Sequence, residues 1–212
     1  MKLAFLIDGF NVYHSIKAAL KDKAIQYGKW LDYNALCRSI PFDIAGFGNE
    51  CDVTAIYYFS ALPNHLAHKG VLTRHRTYIE ALKSTGINIV LGNFKKKRNR
   101  CRQCGQIYIT HEEKETDVNI ALYLFKLFMT NSCDAIVIIS GDTDLVSAIT
   151  NAKEIFSNKK IMVGFPFGRK NDYFDKVADF TFDIRAKRYE RYQLNDPIIL
   201  SDGKKLDKPA EW

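Results

Sequence analysis

AIVIISGDTDLVSAI, residues 135–149, is the stretch on which the fold turns. Ala135 to Ile139 is a short apolar, β-branched run, the signature of a buried strand. Ser140-Gly141-Asp142-Thr143-Asp144 then reads as a tight polar loop, and apolar residues resume at helical spacing from Leu145 to Phe156. The same order opens the chain. Lys2 to Ile7 reads as a buried strand, Asp8-Gly9 ends it, and Val12, Ile16, Ala19 and Leu20 follow at helical spacing, with Asn11 the expected N-cap.

Between and beyond these units the pattern repeats. Strands are expected at Val53–Phe59, Ile87–Leu91 and Lys160–Gly164, with an edge strand at Phe180–Ile184. Helices are expected at Tyr33–Arg38 behind an Asp32 cap, at His65–Thr85 with Gly86 as its stop, and at Asp172–Ala178. The helix Thr116–Met129 is apolar on so many sides that it is expected to be well buried. Strands alternating with helices argue for an α/β fold around a mostly parallel sheet.

A chain of 212 residues suits one domain, and 47% hydrophobic against 26% charged residues excludes a mainly disordered protein. The run Leu3–Ile7 is too short for a secretory leader, and no run reaches membrane length. Five cysteines without a leader argue against a disulfide framework and for a reducing cytoplasm. The reading divides the chain into a domain at 1–185, interrupted by a basic insertion at about 93–113, and a basic, partly disordered extension at 186–212 that contains Pro197 and Pro209. The net charge of +7 favours polyanionic partners, and it is concentrated in Lys95, Lys96, Lys97, Arg98, Arg100 and Arg102, with a second block at Arg185, Lys187, Arg188 and Arg191.

The carboxylates carry the chemistry. Asp8 follows the first strand, Asp142 and Asp144 follow the strand at 135–139, and Asp117 lies in the first turn of the helix at 116–129. Open α/β sheets bind ligands at the carboxyl ends of their strands, where the strand order switches. If those two strands are neighbours, the acids converge. Any one of them could simply cap a helix; four at one edge is what points elsewhere. Crowded carboxylates repel, and a hard Mg²⁺ or Mn²⁺ relieves that repulsion. Such a site activates water and clamps a phosphodiester. Asn11 could cap its helix, orient Asp8 or touch a phosphate, while Ser140 and Thr143 could bond a phosphate or shape their loop. There is no G-x-S-x-G for serine-hydrolase chemistry and no G-x-x-x-x-G-K-[ST] phosphate loop. A small-molecule phosphatase of D-x-D type fits less well, because Gly141 intervenes before the acid.

Three segments in order, LIDGFNVYHS (6–15), EKETDVNIALYLF (113–125) and IVIISGDTDLVSAI (136–149), resemble the NYN domain family, in the PIN-like nuclease superfamily and nearest its LabA-like branch. The resemblance spans roughly residues 1–185. It implies a PIN-like three-layer sandwich and a metal-dependent endoribonuclease that hydrolyses RNA phosphodiesters, with RNA, single-stranded or structured, as partner. By motif it assigns catalysis to Asp8, Asn11, Asp117, Asp142 and Asp144, and Mg²⁺ or Mn²⁺ binding to the four aspartates. Lys95, Lys96, Lys97, Arg98, Arg100, Arg102, Lys114, Ser140 and Thr143 are then candidates for contacting RNA. Lys114 could instead pair with Glu113, and Tyr108 could stack on a base or simply pack. Cys101-Arg102-Gln103-Cys104-Gly105 resembles a zinc knuckle, implying a structural Zn²⁺ on Cys101 and Cys104 with His111 as a third ligand; a redox pair or two spare thiols are the alternatives. The competing function is an RNA-binding or regulatory module that does not cut.

Overall fold

A computed structural model of the chain describes residues 1–41, 51–64 and 69–212. Its elements in order are β1 (Lys2–Asp8), α1 (Gly9–Lys21), α2 (Tyr33–Ser39), β2 (Asp52–Ala61), α3 (Lys69–Ser84), β3 (Asn88–Arg100), β4 (Ile107–Lys114), α4 (Thr116–Met129), β5 (Ala135–Ile139), α5 (Val146–Ile155), β6 (Lys160–Phe165), β7 (Phe180–Asp183), α6 (Lys187–Arg191), β8 (Ile198–Ile199) and β9 (Lys205–Leu206). Among the described residues the main sheet has seven strands in the order β4-β3-β2-β1-β5-β6-β7. Its pairs are parallel except β3–β4. The chain leaves β1 toward one edge, then returns to β5 on the other side of β1. The strand order therefore switches between β1 and β5, which pair from Leu3↔Ala135 to Ile7↔Ile139.

Alternation along β1 builds a core on each face of the sheet. Leu3, Phe5 and Ile7 pack with Val12 and Ile16 of α1, Leu36 of α2 and Leu82 of α3. Ala4 and Leu6 pack with Ile120 and Leu124 of α4 and Ile149 and Ala152 of α5. This is an α/β/α sandwich with a mostly parallel central sheet. No helix among the described residues is long and apolar enough to cross a membrane.

Several expectations need correction. The start of the expected helix at His65 falls at 65–68, with His65 and His68, outside the described residues; the described helix begins at Lys69. Asp8, not Asn11, caps α1, accepting the Asn11 N–H at 2.9 Å, because the helix starts directly after the strand. The expected helix at 172–178 is a single 3₁₀ turn, Phe174–Lys176. The helix α4 buries Ile120, Leu124, Leu127 and Phe128, while Val118, Leu122 and Met129 are exposed along one side.

The insertion at 93–113 is not a separate unit. Strand β3 continues through it and returns as β4, paired from Asn93↔Lys114 to Arg100↔Ile107. Its neighbour β2 stops at Ala61, opposite Gly92, so residues 93–100 run beyond the carboxyl edge of the sheet, about 26 Å at strand rise. The extension at 186–212 is folded rather than loose. Tyr189, Leu194 and Leu206 join the core beside β1, the Trp30 indole N–H donates to the Asn195 carbonyl at 3.1 Å, and the Trp212 ring lies 5.0 Å from that of Tyr78. Its composition is polar because only these isolated side chains reach inward.

Candidate active site

The switch between β1 and β5 is built from a few hydrogen bonds. Asp8, the last residue of β1, is 4% exposed. Its Oδ1 accepts from the Asn11 N–H, and its Oδ2 accepts from the Ser140 hydroxyl at 2.8 Å. The Ser140 oxygen in turn accepts the Asp142 N–H at 3.1 Å. The Asn11 side-chain oxygen accepts the Gly141 N–H at 3.1 Å, so the α1 end and the loop after β5 are laced together. Asp142 caps the 3₁₀ turn Thr143–Leu145, accepting the Asp144 N–H at 3.1 Å. Gly141 is required here by contact: a Cβ on it would sit 2.0 Å from the Arg169 carbonyl oxygen.

Asp117 comes from the other core layer. The turn into α4 is held by Glu115 in the left-handed region (φ 82°), with the Asn93 side-chain amide donating to Glu115 Oε2 at 2.9 Å. A non-glycine residue held there is strained, and the strain lies two residues from the acid. Asp117 and Asp144 line one groove between α4 and α5.

The electrostatics tie these acids together. Burial pushes the Asp8 carboxyl up to about 6; the Asn11 and Ser140 hydrogen bonds oppose the shift, and the charges of Asp117 and Asp142 reinforce it. Asp117 is raised by burial first, then by Asp142 and Asp144. Asp8 and Asp117 thus each respond to the charge of other acids at this edge. Among the described residues no three His, Cys, Asp or Glu side chains stand close enough to enclose an ion. The donor set nonetheless fits a hard divalent cation, which takes one or two carboxylates and keeps water and substrate oxygens for the rest. A buried carboxylate held up by its neighbours' charges is the chemistry such an ion relieves.

The other predicted residues fall in distinct places. Ser140 is buried within the acid network, and Thr143 is exposed on its rim. Lys114 is exposed at the foot of the hairpin and pairs with Glu112 at 3.1 Å; the Glu113 side chain lies outside the described residues. Lys97 bonds the other oxygen of Glu112. Lys95, Lys96, Arg98, Arg100 and Arg102 are exposed along the hairpin, and its foot is fixed to α1 by a Phe10–Phe94 edge contact at 5.7 Å. The hairpin therefore rises from the same edge of the sheet as the acids, its foot against α1 and its tip well clear of the sheet. Tyr108 is exposed near the tip. In the second block, Lys187 pairs with Glu190 at 2.8 Å and Arg188 donates to Ser39 at 3.3 Å, while Arg185 follows β7 at the far end of the carboxyl edge.

The proposed third zinc ligand does not join the cysteines. His111 pairs with Lys96, five residues of strand from Cys101, about 16 Å. Cys101 and Cys104 lie at the hairpin tip. The backbone N–H groups of Cys104 and Gln103, then the Cys104 side chain, hold the Cys101 thiol below its ordinary pKa.

One contributor escaped the sequence reading. The loop after β6 carries Arg169, whose carbonyl presses on Gly141 and whose cation, after burial, lowers the pKa of His14 one turn along from Asn11. Its signal was position, since a loop after a parallel strand opens on the same edge as the acids.

The model of the NYN domain family matches residues 2–189. No curated protein matches the chain. A crystal structure of a protein of unknown function from Vibrio parahaemolyticus RIMD 2210633 is similar at a TM-score of 0.58 and 20% identity, over 86% of this chain and 92% of that one, a likeness of fold alone.

Proposed function

The chain belongs to the NYN domain family, a family of PIN-like nucleases that act on RNA, and on that premise we propose that it is an endoribonuclease using Mg²⁺ or Mn²⁺ at Asp8, Asp117, Asp142 and Asp144. The observation that carries this reading is the buried Asp8 at the β1–β5 switch, raised to about 6 by burial and then by the charges of Asp117 and Asp142, which come from two other segments. A divalent ion bound there supplies Lewis-acid activation of water and of the phosphodiester. The protein does the positioning. Asn11 and Ser140 fix the direction of both Asp8 oxygens. Asn11 also holds the Gly141–Asp142 backbone, which leaves its amide nitrogen directed to a phosphate oxygen. Asp144, exposed at the lip, orients the attacking water. The hairpin cations draw the RNA backbone along the carboxyl edge without reading its sequence.

The test is cleavage of end-labelled single-stranded RNA and matched DNA by the wild type and Asp8→Asn, with Mn²⁺, Mg²⁺ or EDTA. RNA cutting that needs metal and falls at least about 100-fold in the variant is the expected result. Equal cutting by both proteins removes Asp8 from the reaction. The second reading, an RNA-binding module that does not cut, is favoured by the hairpin, whose exposed cations need no acid site to bind. Binding by both proteins with no cutting under any metal would put it first.

A further inference from the structure

The loop after β6 places a cation on the side of the acids away from the hairpin. In the sheet order the hairpin leaves β3, the acids follow β1 and β5, and this loop follows β6. At the usual strand spacing, β3 lies about 10 Å to one side of β1, and β6 about 5 Å to the other side of β5. The loop is held in place by its own contacts. Gly168 turns it at φ 69°, and the Arg169 N–H donates to the Pro166 carbonyl at 2.9 Å. Ser15 bonds the Phe167 carbonyl, and the Tyr189 hydroxyl accepts the Phe167 N–H. The end of the loop packs on the acid loop. A Cβ on Gly141, between Ser140 and Asp142, would lie 3.0 Å from the Arg169 Cβ. The arginine side chain therefore starts against the segment that carries two of the acids. It is half-buried, and its charge reaches exposed His14, one turn along α1 from Asn11, and the Tyr189 hydroxyl. Both of those groups are neutral near pH 7, because burial first of all lowers His14 and raises Tyr189. Neither is an anion that would take up the arginine's charge.

We propose that Arg169 binds the RNA phosphate next to the scissile one, on the β6 side of the acids, so that the substrate is held on both sides of the cut, by the hairpin and by this arginine. A planar guanidinium offers paired donors to two oxygens of one phosphate, a geometry that a lysine ammonium does not reproduce. The contact reads the backbone and not the base, so it selects a continuous strand rather than a sequence. A strand that continues past the acids in both directions is cut internally. The assignment rests on the nuclease reading and extends it to a residue outside the acid cluster and the hairpin.

The experiment is cleavage, in Mn²⁺, of end-labelled single-stranded RNAs by the full-length wild type and Arg169→Ala. In each RNA one linkage is a neutral methylphosphonate on a 2′-deoxy nucleotide, and the position of the cut fixes the register. Wild-type cutting at the linkage adjoining the neutral one, on one side only, is expected to fall about 10-fold. Arg169→Ala should cut unmodified RNA about 10-fold less efficiently, chiefly through KM, and lose nothing more at that linkage. Arg169→Lys should recover part of the loss. In EDTA the slope of log K for RNA against log salt should be smaller by about 0.7 in the alanine variant. Alanine keeps the Cβ and the backbone contacts of the loop, so the melting temperature should stay that of the wild type. An alanine variant that cuts and binds like the wild type, or that keeps the full penalty at the neutral linkage, overturns the assignment and leaves the nuclease reading standing. A wild type that cuts no RNA overturns the nuclease reading, and the assignment with it.

Discussion

Asp8 is raised from the ordinary carboxylate range to about 6, first by burial and then by Asp117 and Asp142. The native state therefore holds this proton more tightly than the unfolded chain does. The resulting stabilisation is complete below about pH 4 and is lost as the pH rises through about 6. Above that point the ionised group costs about 3 kcal/mol, two pKa units of destabilisation. Asn in its place cannot ionise, and its amide can still accept from Asn11 and meet Ser140. In EDTA at pH 8, Asp8→Asn is therefore expected to melt about 5–10 °C above the wild type, a gap that closes by pH 4. Mn²⁺ at pH 8 should raise the wild type and leave the variant nearly unmoved. Thermal melts by circular dichroism check both, and a variant less stable at pH 8 would mean that Asp8 is not under electrostatic strain.

At the scale of elements the hairpin β3–β4 dominates, because it raises six basic residues from the edge that carries the acids. Single-stranded nucleic acid releases about 0.7 counterion per neutralised phosphate. Replacing Lys95, Lys96 and Arg98 together with Ala is expected to lower the slope of log K against log salt by about 2. Anisotropy titrations of single-stranded RNA, in EDTA and across salt, measure it; an unchanged slope would take the hairpin out of the binding surface. The sequence hid this element for a physical reason. Strands announce themselves by a buried face, and a strand standing clear of its sheet has none, so KKKRNR reads as an insertion. The sheet itself was legible, since AIVII and LAFLI are buried on both faces, and so were the acids, which directly follow strands. Asn11 was legible as a candidate but not in its contact: only the β1–β5 pairing reveals that its side chain holds Gly141. Of the apolar wealth of α4, Val118, Leu122 and Met129 face outward.

For the whole molecule the distinctive feature is a C-terminal segment that reaches back to the acid edge. The buried Tyr189 hydroxyl lies 2.9 Å from the Ser15 hydroxyl and accepts the Phe167 N–H at 3.0 Å, and Ser15 donates to the Phe167 carbonyl at 2.7 Å. That network fixes the loop whose Arg169 carbonyl abuts Gly141. Tyr189→Phe leaves a buried N–H without its acceptor and is expected to cost about 1–3 kcal/mol. Urea denaturation checks this as a lower midpoint at unchanged slope; no change would mean that the loop is held by other contacts. The β1–β5 pairing has a further consequence, one that concerns biosynthesis. Strand β1 is translated more than a hundred residues before its partner at Ala135–Ile139 and the acids beyond it. Until then a growing chain carries Asp8 with no Ser140 to bond it, and of the other three acids only Asp117 has been made. A nascent polypeptide tethered beside its own messenger RNA thus holds only a fragment of the acidic cluster, and the cluster is completed once Asp142 and Asp144 have cleared the ribosome.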